Sequence, residues 1–471
     1  MWIKLISPEF SRRPMDSAWK TQMSPPLGLL TVGALTPPEH RVTLADENVE
    51  RVQHGDKPDV AAFSVTADTF PRASALARLY RARGVKVVMG GIHPTACPEE
   101  CLGEADAVVV GEAEGSWARL LQDHATGRLG RIYRPQGPVD MATVPIPRWD
   151  LLRANRYLFT NTLTIGRGCP WRCEFCYNSS PNIQARYRTK ELGQIRNEIQ
   201  SLNGRHVMFI DDNFIGDPGF ARRLTAMLGR MGLTWHAAVS ADVGRHDGLL
   251  ESMAEAGCRS LFIGFETLNP KNLMLCRKNQ NRVDVYDTTI ARIHSLGMMV
   301  NASVVFGFDH DEPGVFDETV TWLERNKVST MTGHILTPYP GTELHRKLQA
   351  GGRIISRDLR LYNTAHAVFR PARMSPDELE HGYRRAYNRF YSWRSIGARL
   401  PVAHNQRIAF LMFNLCYRKF GKLTSVAGRA IGMRPLAKLA KALSYAEKRA
   451  DPQPFLDRSP ALDRIPGMHV P

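Results

Sequence analysis

Cys169-Pro-Trp-Arg-Cys173-Glu-Phe-Cys176-Tyr177 follows directly on the short β-like run Leu163-Thr-Ile-Gly-Arg-Gly168. Three cysteines at C-x3-C-x2-C spacing on one tight loop offer three corners to a [4Fe–4S] cube and leave its fourth iron open to a ligand. A zinc site is the competing assignment. It needs a fourth ligand, for which His206 and His236 are the candidates. Zinc ligands usually come as paired C-x2-C units or with a neighbouring histidine pair, and neither pattern accompanies the loop. The sequence around the loop therefore decides.

Downstream of the loop one unit recurs. Leu224–Met231 has helical spacing, then comes Gly232, then the strand-like run Trp235-His-Ala-Ala-Val239. The stripe Leu249, Leu250, Met253 is followed by Gly257 and then Leu261–Phe265; Ile290, Ile293 and Leu296 are followed by Gly297 and then Val300–Phe306. Glycine just past a helix, followed by a nearly continuous apolar strand, is the pattern of a buried parallel sheet. Strands are expected to begin near 163, 206, 235, 260, 299 and 333, giving a partial (β/α)6 barrel with its chemistry at the strand carboxyl ends. Asp211-Asp212-Asn213, Ser240 and Asp242, Glu266, Asp309 and Thr337 fall at those ends. Several polar residues converging on one barrel mouth beside a cysteine loop predict a site.

This segment, roughly 160–345, resembles the radical S-adenosylmethionine superfamily, whose cluster motif is C-x3-C-x-Φ-C, with Phe175 as the aromatic position. The resemblance implies that Cys169, Cys173 and Cys176 ligate the cluster and that the open iron takes the amino and carboxylate groups of S-adenosylmethionine. It also implies Phe175 and Tyr177 near the adenine, Asp211 and Asp212 near the methionyl amine, and Ser240 among the cofactor contacts. Glu266 suits a ribose hydroxyl. The paired carboxylates depart from the family's commoner Gly-Gly-Glu.

Residues 1–134 alternate short apolar runs with helical patterns. Asp59–Val65, Val85–Met89 and Ala107–Val110 read as strands, and Ala73–Arg83 as a helix stopped by Gly84. Such repetition predicts a doubly wound, Rossmann-like parallel sheet with ligands beyond its carboxyl ends. No G-x-G-x-x-G follows the first strand, so a dinucleotide site is not indicated. Pro25-Pro-Leu-Gly28, Ser64-x-Thr66, Gly90-Gly91-Ile-His93-Pro and Gly111-Glu112-Ala-Glu114 together resemble the cobalamin-binding domain that precedes many radical enzymes. That likeness implies a cobalamin tail beside Ser64, Thr66, Gly90, Gly91, His93, Gly111 and Glu112. The Asp-x-His-x-x-Gly motif is absent, implying base-off binding with no protein histidine under the cobalt.

The remaining organisation is a linker at 135–158, proline-rich and poor in apolar periodicity, a barrel at 159–345, and a helical, basic extension at 346–471. Hydrophobic content of 43% and charged content of 23% are ordinary for a soluble globular chain. The N-terminus lacks the apolar stretch of a signal peptide and no run is long enough to span a bilayer, so a cytoplasmic setting is expected. The formal charge of +16 is uneven: His381–Pro471 carries 17 Lys and Arg against 4 Asp and Glu. This block suits either a solvated helical surface or contact with an anionic membrane face. No nucleic-acid module or aromatic–basic repeat accompanies it. Arg407–Phe420 is apolar between basic ends and suits a helix that lies on a bilayer, covers an apolar substrate or caps the barrel. Pro452–Pro471, with five prolines, reads as a loose tail. Cys97, Cys101, Cys258, Cys276 and Cys416 are expected to be inert packing thiols.

Glu343–Ser395 loosely resembles the extension of a cobalamin-type radical subgroup that includes enzymes methylating hopanoid lipids. The resemblances together imply a cobalamin-dependent radical S-adenosylmethionine C-methyltransferase. A 5′-deoxyadenosyl radical would take hydrogen from an unactivated carbon, which would then collect a methyl group from methylcobalamin. The implied partners are a small-molecule or lipid-like substrate and an external flavodoxin- or ferredoxin-type electron donor. Radical rearrangement, cyclisation or oxidation without methyl transfer is the alternative, and a non-catalytic iron–sulfur or nucleic-acid-binding protein the remote one.

Overall fold

The computed structural model describes residues 1–14, 24–183, 186–401 and 404–417. Most of the basic C-terminal block and the segment Pro452–Pro471 lie outside the described residues, as does the side chain of Cys416. In the first third, β1 (Trp2–Ser7), β2 (Arg41–Asp46), β3 (Val60–Ser64), β4 (Lys86–Gly90), β5 (Ala107–Val109) and β6 (Ile132–Tyr133) form one sheet in the order β2-β1-β3-β4-β5-β6. Every neighbouring pair is parallel. Val60–Phe63 is buried on both sides, as an unbroken apolar run requires when helices cover both faces. Leu29, Trp117 and Leu120 cover one face; Ala73, Leu76 and Tyr80 cover the other. The strand order reverses between β1 and β3, which opens a crevice at the carboxyl ends there. β2 and β6 were not legible as strands. The first is only half-buried and the second two residues long, so sheet pairing rather than local pattern makes them.

The second sheet holds β7 (Thr162–Leu163), β10 (His206–Phe209), β11 (Thr234–Ser240), β12 (Cys258–Glu266), β13 (Met299–Phe306) and β14 (Thr330–Ile335). Its order is β14-β13-β12-β11-β10-β7, again all parallel. The strands begin within three residues of the expected positions. β14 does not pair with β7, so the barrel is partial. Outward residues such as Phe209, Trp235, Ile263 and Val300 pack with Leu224, Leu250, Ile290 and Leu323 from the surrounding helices. Gly257 shows why glycine precedes these strands: at φ +92° a Cβ would lie 1.9 Å from the Leu233 carbonyl oxygen. The run expected at 163–168 divides. β7 stops at Leu163, and β8 (Gly166–Arg167) peels away to pair antiparallel with β9 (Arg188–Thr189).

The C-terminal extension protects the open edge. Ser375 and Glu378 form a reciprocal capping box that starts the helix Pro376–Phe390. The Tyr387 hydroxyl accepts from Gly333 N and donates to its carbonyl, and Tyr391 does the same at Met331. These tyrosines satisfy backbone groups that an edge strand would otherwise present unpaired. Below them Arg399, fully buried, donates to the carbonyls of Val328, Ser329 and Phe390 and to Asn414 Oδ1, with its guanidinium 3.6 Å over the Phe390 ring. Arg399→Ala strands three buried acceptors, the Ser329 carbonyl keeping Asn414 Nδ2, so a loss of at least about 3 kcal/mol is expected. A urea unfolding midpoint unchanged by the substitution would refute this. Among the described residues no helix is long and apolar enough to cross a membrane.

Candidate active site

The cysteine loop is held by its backbone rather than by the thiols. Cys176 N donates to the Cys173 carbonyl (3.0 Å), Ser179 Oγ donates to the carbonyls of Glu174 and Cys176, and Glu174 N donates to the Cys276 carbonyl (3.0 Å). The Glu174 side chain, buried between Arg277 (3.2 Å) and Lys347 (2.5 Å), anchors the loop to two later segments. All three thiols are free of disulfides, and Cys173 is buried. Burial pushes Cys169 up to about 11 and Cys176 up to about 12, and raises Cys173. Cys169 feels the charge of Cys173, and Cys176 feels that of both Cys173 and Cys169. Three unpaired thiols gathered on a rigid loop, protonated until a cation displaces their protons, fit a cluster with one open iron.

The two carboxylates after β10 part company. Asp211 is buried and accepts from Ile165 N and Gly166 N at 2.9–3.1 Å, which makes the break between β7 and β8. Both of its oxygens accept from the backbone, although it borders the larger cleft together with Asp212. Asp212 is exposed into a cleft whose desolvation raises its pKa. Ser240 is likewise committed, donating to Asp242 and accepting from Asn213 Nδ2 (3.1 Å). Glu266, at the end of β12, takes φ +64° beside a register shift. It accepts from Lys278 Nζ at 2.5 Å and from Ser303 Oγ at 3.2 Å. Burial opposes the charge on Lys278, but Glu266 and the nearby thiols outweigh it and raise the amine's pKa. Lys278 lies 5.9 Å from the Phe175 ring centre, and Gln280 Nε2 is 4.0 Å from Cys173 Sγ. Tyr177 stacks on Tyr339 with ring centres 5.0 Å apart. The Asp309 carboxylate pairs with Arg353 rather than facing the mouth alone.

Two cavities connect the sheets. One of about 420 Å³ lies between the turns after β4 and β5 and the barrel mouth, bounded by Gly91, Thr95, Gly111, Gly168, Asn178 and Asp212. A second, of about 170 Å³, runs under the first sheet's carboxyl ends past Gly28, Thr31, Ser64, Gly90, Val109 and Trp117. They share Gly91, Gly111, Glu112 and Arg167. A wide chamber joined to a narrow, largely apolar slot fits a corrin ring and its nucleotide tail. Among the described residues lining either cavity there is no imidazole, thiol or thioether. Gly91, at φ +106°, makes the junction: a Cβ there would sit 2.9 Å from both Val65 N and O.

Two expected contacts are not brought to these cavities. Thr66 spends its hydroxyl on Asp68 and Thr69 at the start of the helix Phe70–Arg81. His93 is fully buried with its ring 5.0 Å from Phe70 and lines neither cavity. Glu112 does line both, but it also accepts from Arg188 at 2.9 and 2.6 Å, while Arg167 pairs bidentately with Glu114. These pairs tie the first domain to the β8–β9 hairpin next to the cluster loop. Arg167, Arg188 and Lys278 carried no sequence signal, since their partners lie 53, 76 and 12 residues away in a chain rich in arginine and lysine.

Inside the partial barrel a pocket of about 290 Å³ is walled by Phe159, Met208, Phe262 and Phe413, with His236, Ser260 and Asn301 at its polar side. It meets the larger cavity at Ile210 and Asp211. His236 bonds Ser260 Oγ through Nδ1 at 2.7 Å, and burial pushes it from 6.5 down to about 3. The unfolded chain takes up that proton first as pH falls, so stability is full above 6.5 and drains away between 6.5 and about 3. The stability difference between pH 7.5 and 5.0 is expected to shrink by up to about 2 kcal/mol in His236→Gln. Urea melts at the two pH values check it; an undiminished difference would show that the histidine titrates normally.

Comparison with known proteins bears on both halves of this arrangement. The Radical SAM superfamily pattern matches residues 163–323, and the B12 binding domain pattern matches residues 22–121. Bacteriochlorophyllide d C-12(1)-methyltransferase of Chlorobaculum tepidum is 25% identical over 436 residues, covering 90% of this chain and 94% of its own length. Hopanoid C-2 methylase of Rhodopseudomonas palustris is 29% identical over 357 residues, 72% of this chain and 67% of its own. The fold is shared with the cobalamin-dependent S-adenosylmethionine radical enzyme OxsB with aqua-cobalamin bound, at a TM-score of 0.66 and 14% identity over 89% of this chain and 71% of that one.

Proposed function

Because this chain is a radical S-adenosylmethionine superfamily protein with an N-terminal cobalamin-binding domain, we propose that it methylates an unactivated carbon of an apolar, ring-containing small molecule. The observation that carries this is the placing of the larger cavity, which has the first sheet's turns on one side and the barrel mouth with Asp212 on the other. When bound, the cluster, S-adenosylmethionine and cobalamin supply the deoxyadenosyl radical and the methyl group.

The chain's own residues bind and align. Cys169, Cys173 and Cys176 hold the cluster, with Phe175 and Tyr177 as apolar walls for the adenine. Asp212 receives the methionyl amine, and Glu266, oriented by Lys278 and Ser303, reaches a ribose hydroxyl. Ser64, Gly90, Gly91 and Gly111 line the path of the cobalamin tail. The aromatic walls of the inner pocket suit a broad apolar ring system, in line with the substrates in the names of the two curated relatives. The electron comes from a flavodoxin- or ferredoxin-type donor.

The test is an anaerobic turnover of the reconstituted, cobalamin-loaded protein with a bacteriochlorophyllide or a hopanoid. Methyl transfer yields 5′-deoxyadenosine and S-adenosylhomocysteine together with a product heavier by one methylene. Deoxyadenosine without S-adenosylhomocysteine would replace methylation by a radical rearrangement, cyclisation or oxidation.

A further inference from the structure

His93, which the cobalamin cavities do not use, lies in a second cluster of ligating side chains. It belongs to the short helix Ile92–Ala96, and Cys97 joins that helix to the next, Pro98–Leu102, which carries Glu100. One ligand atom from each of His93, Cys97 and Glu100 falls within 4.8 Å of the others. The imidazole is fully buried, yet its Nδ1 has no hydrogen-bond partner. Its Nε2 is 3.2 Å from Glu100 Oε2 but off the line that a hydrogen bond needs. A buried ring with neither nitrogen hydrogen-bonded is costly unless something else satisfies it.

The separation is informative. Two nitrogen or oxygen ligands of a tetrahedral zinc, each about 2.0–2.1 Å from the metal, stand about 3.3 Å apart. The His93–Glu100 contact has that spacing, and a modest closure of the Cys97 side chain completes a face of the tetrahedron. We propose that His93, Cys97 and Glu100 form a second metal site, for a borderline-soft divalent cation such as zinc, with water in the fourth position. Binding replaces the Cys97 thiol proton by the metal and releases that proton to solvent. Burial and Glu100 hold the metal-free thiol up at about 11, so the thiolate forms with the metal rather than ahead of it.

The location gives the site a structural purpose. Ala96 packs against the barrel at Gly341, where an added Cβ would be 2.8 Å from the Ala96 Cβ. The ion would lock the two short helices that follow the Gly90–Gly91 junction, and so fix the floor of the larger cavity against the barrel.

The full chain, cluster-reconstituted and cobalamin-loaded, is incubated with one equivalent of zinc and dialysed; metals are then counted and the zinc X-ray absorption edge recorded. One zinc per chain with a single sulfur neighbour is expected. Cys97→Ser and Glu100→Gln should each lower zinc affinity at least tenfold with iron and cobalt contents unchanged, whereas Cys101→Ser should retain zinc. Glu100 is half exposed, so its substitution tests the site without threatening the fold. No retained zinc, zinc with three sulfur neighbours (the cluster loop), or undiminished binding in Cys97→Ser would each overturn the proposal.

Discussion

Cys173→Ala is expected to leave a folded, cobalamin-binding protein that makes no 5′-deoxyadenosine. Cys173 is the buried member of the three thiols, and its loop is held by backbone bonds and by Glu174 rather than by sulfur. Removing one sulfur atom therefore costs little packing. It does remove one of three corners, and two thiolates do not hold a cube whose fourth iron has no protein ligand. The iron content should fall and deoxyadenosine formation should drop more than about 100-fold, beyond what loss of an outer-shell partner does. Cobalamin retention checks that the first domain is intact. Substantial deoxyadenosine from this variant would mean that the cluster sits elsewhere.

Gly90→Leu is expected to do the reverse. Gly90 closes β4, lines the narrow slot and has an ordinary φ; a Cβ there meets the Val109 Cβ at an unstrained 3.6 Å. The backbone thus tolerates a side chain, and an isobutyl group there would fill part of the 170 Å³ slot proposed for the nucleotide tail. Overpacking of this kind costs roughly 1–3 kcal/mol, which is about fivefold to somewhat over a hundredfold in affinity. Cobalamin content should fall accordingly while four irons per chain and abortive deoxyadenosine formation persist. Equal cobalamin in variant and parent would remove the tail from this slot.

Both outcomes rest on features that differ in how they could be read from the chain. The cluster loop and the six barrel strands were visible because their signals are local: a fixed cysteine spacing and a helix–glycine–strand unit repeated within about 25–40 residues. The first sheet was visible for the same reason in β3, β4 and β5, but not in β2 or β6, which exist only because a neighbour pairs with them. Position at a strand end did not reveal orientation. Asp211 and Asp212 are adjacent in sequence and both border the cleft, yet one carboxylate is buried and bonds the backbone while the other is exposed. Thr66 and His93 likewise sit near a ligand-binding edge with their polar atoms directed elsewhere. Long-range ion pairs such as Arg188 with Glu112 leave no trace in periodicity, since any arginine has the same propensity wherever its partner is.

Those ion pairs limit how the two halves of the molecule can be recombined. The turn that lines both cavities is also the turn that Arg167 and Arg188 grip. A chimera that imports a cobalamin domain from another protein would have to bring glutamates at the positions of Glu112 and Glu114. Otherwise it would leave two half-buried guanidinium groups without counter-charges at the seam. Spacing between the radical source and the methyl donor is in that sense inherited with the pair of domains as a unit, and neither is a free module.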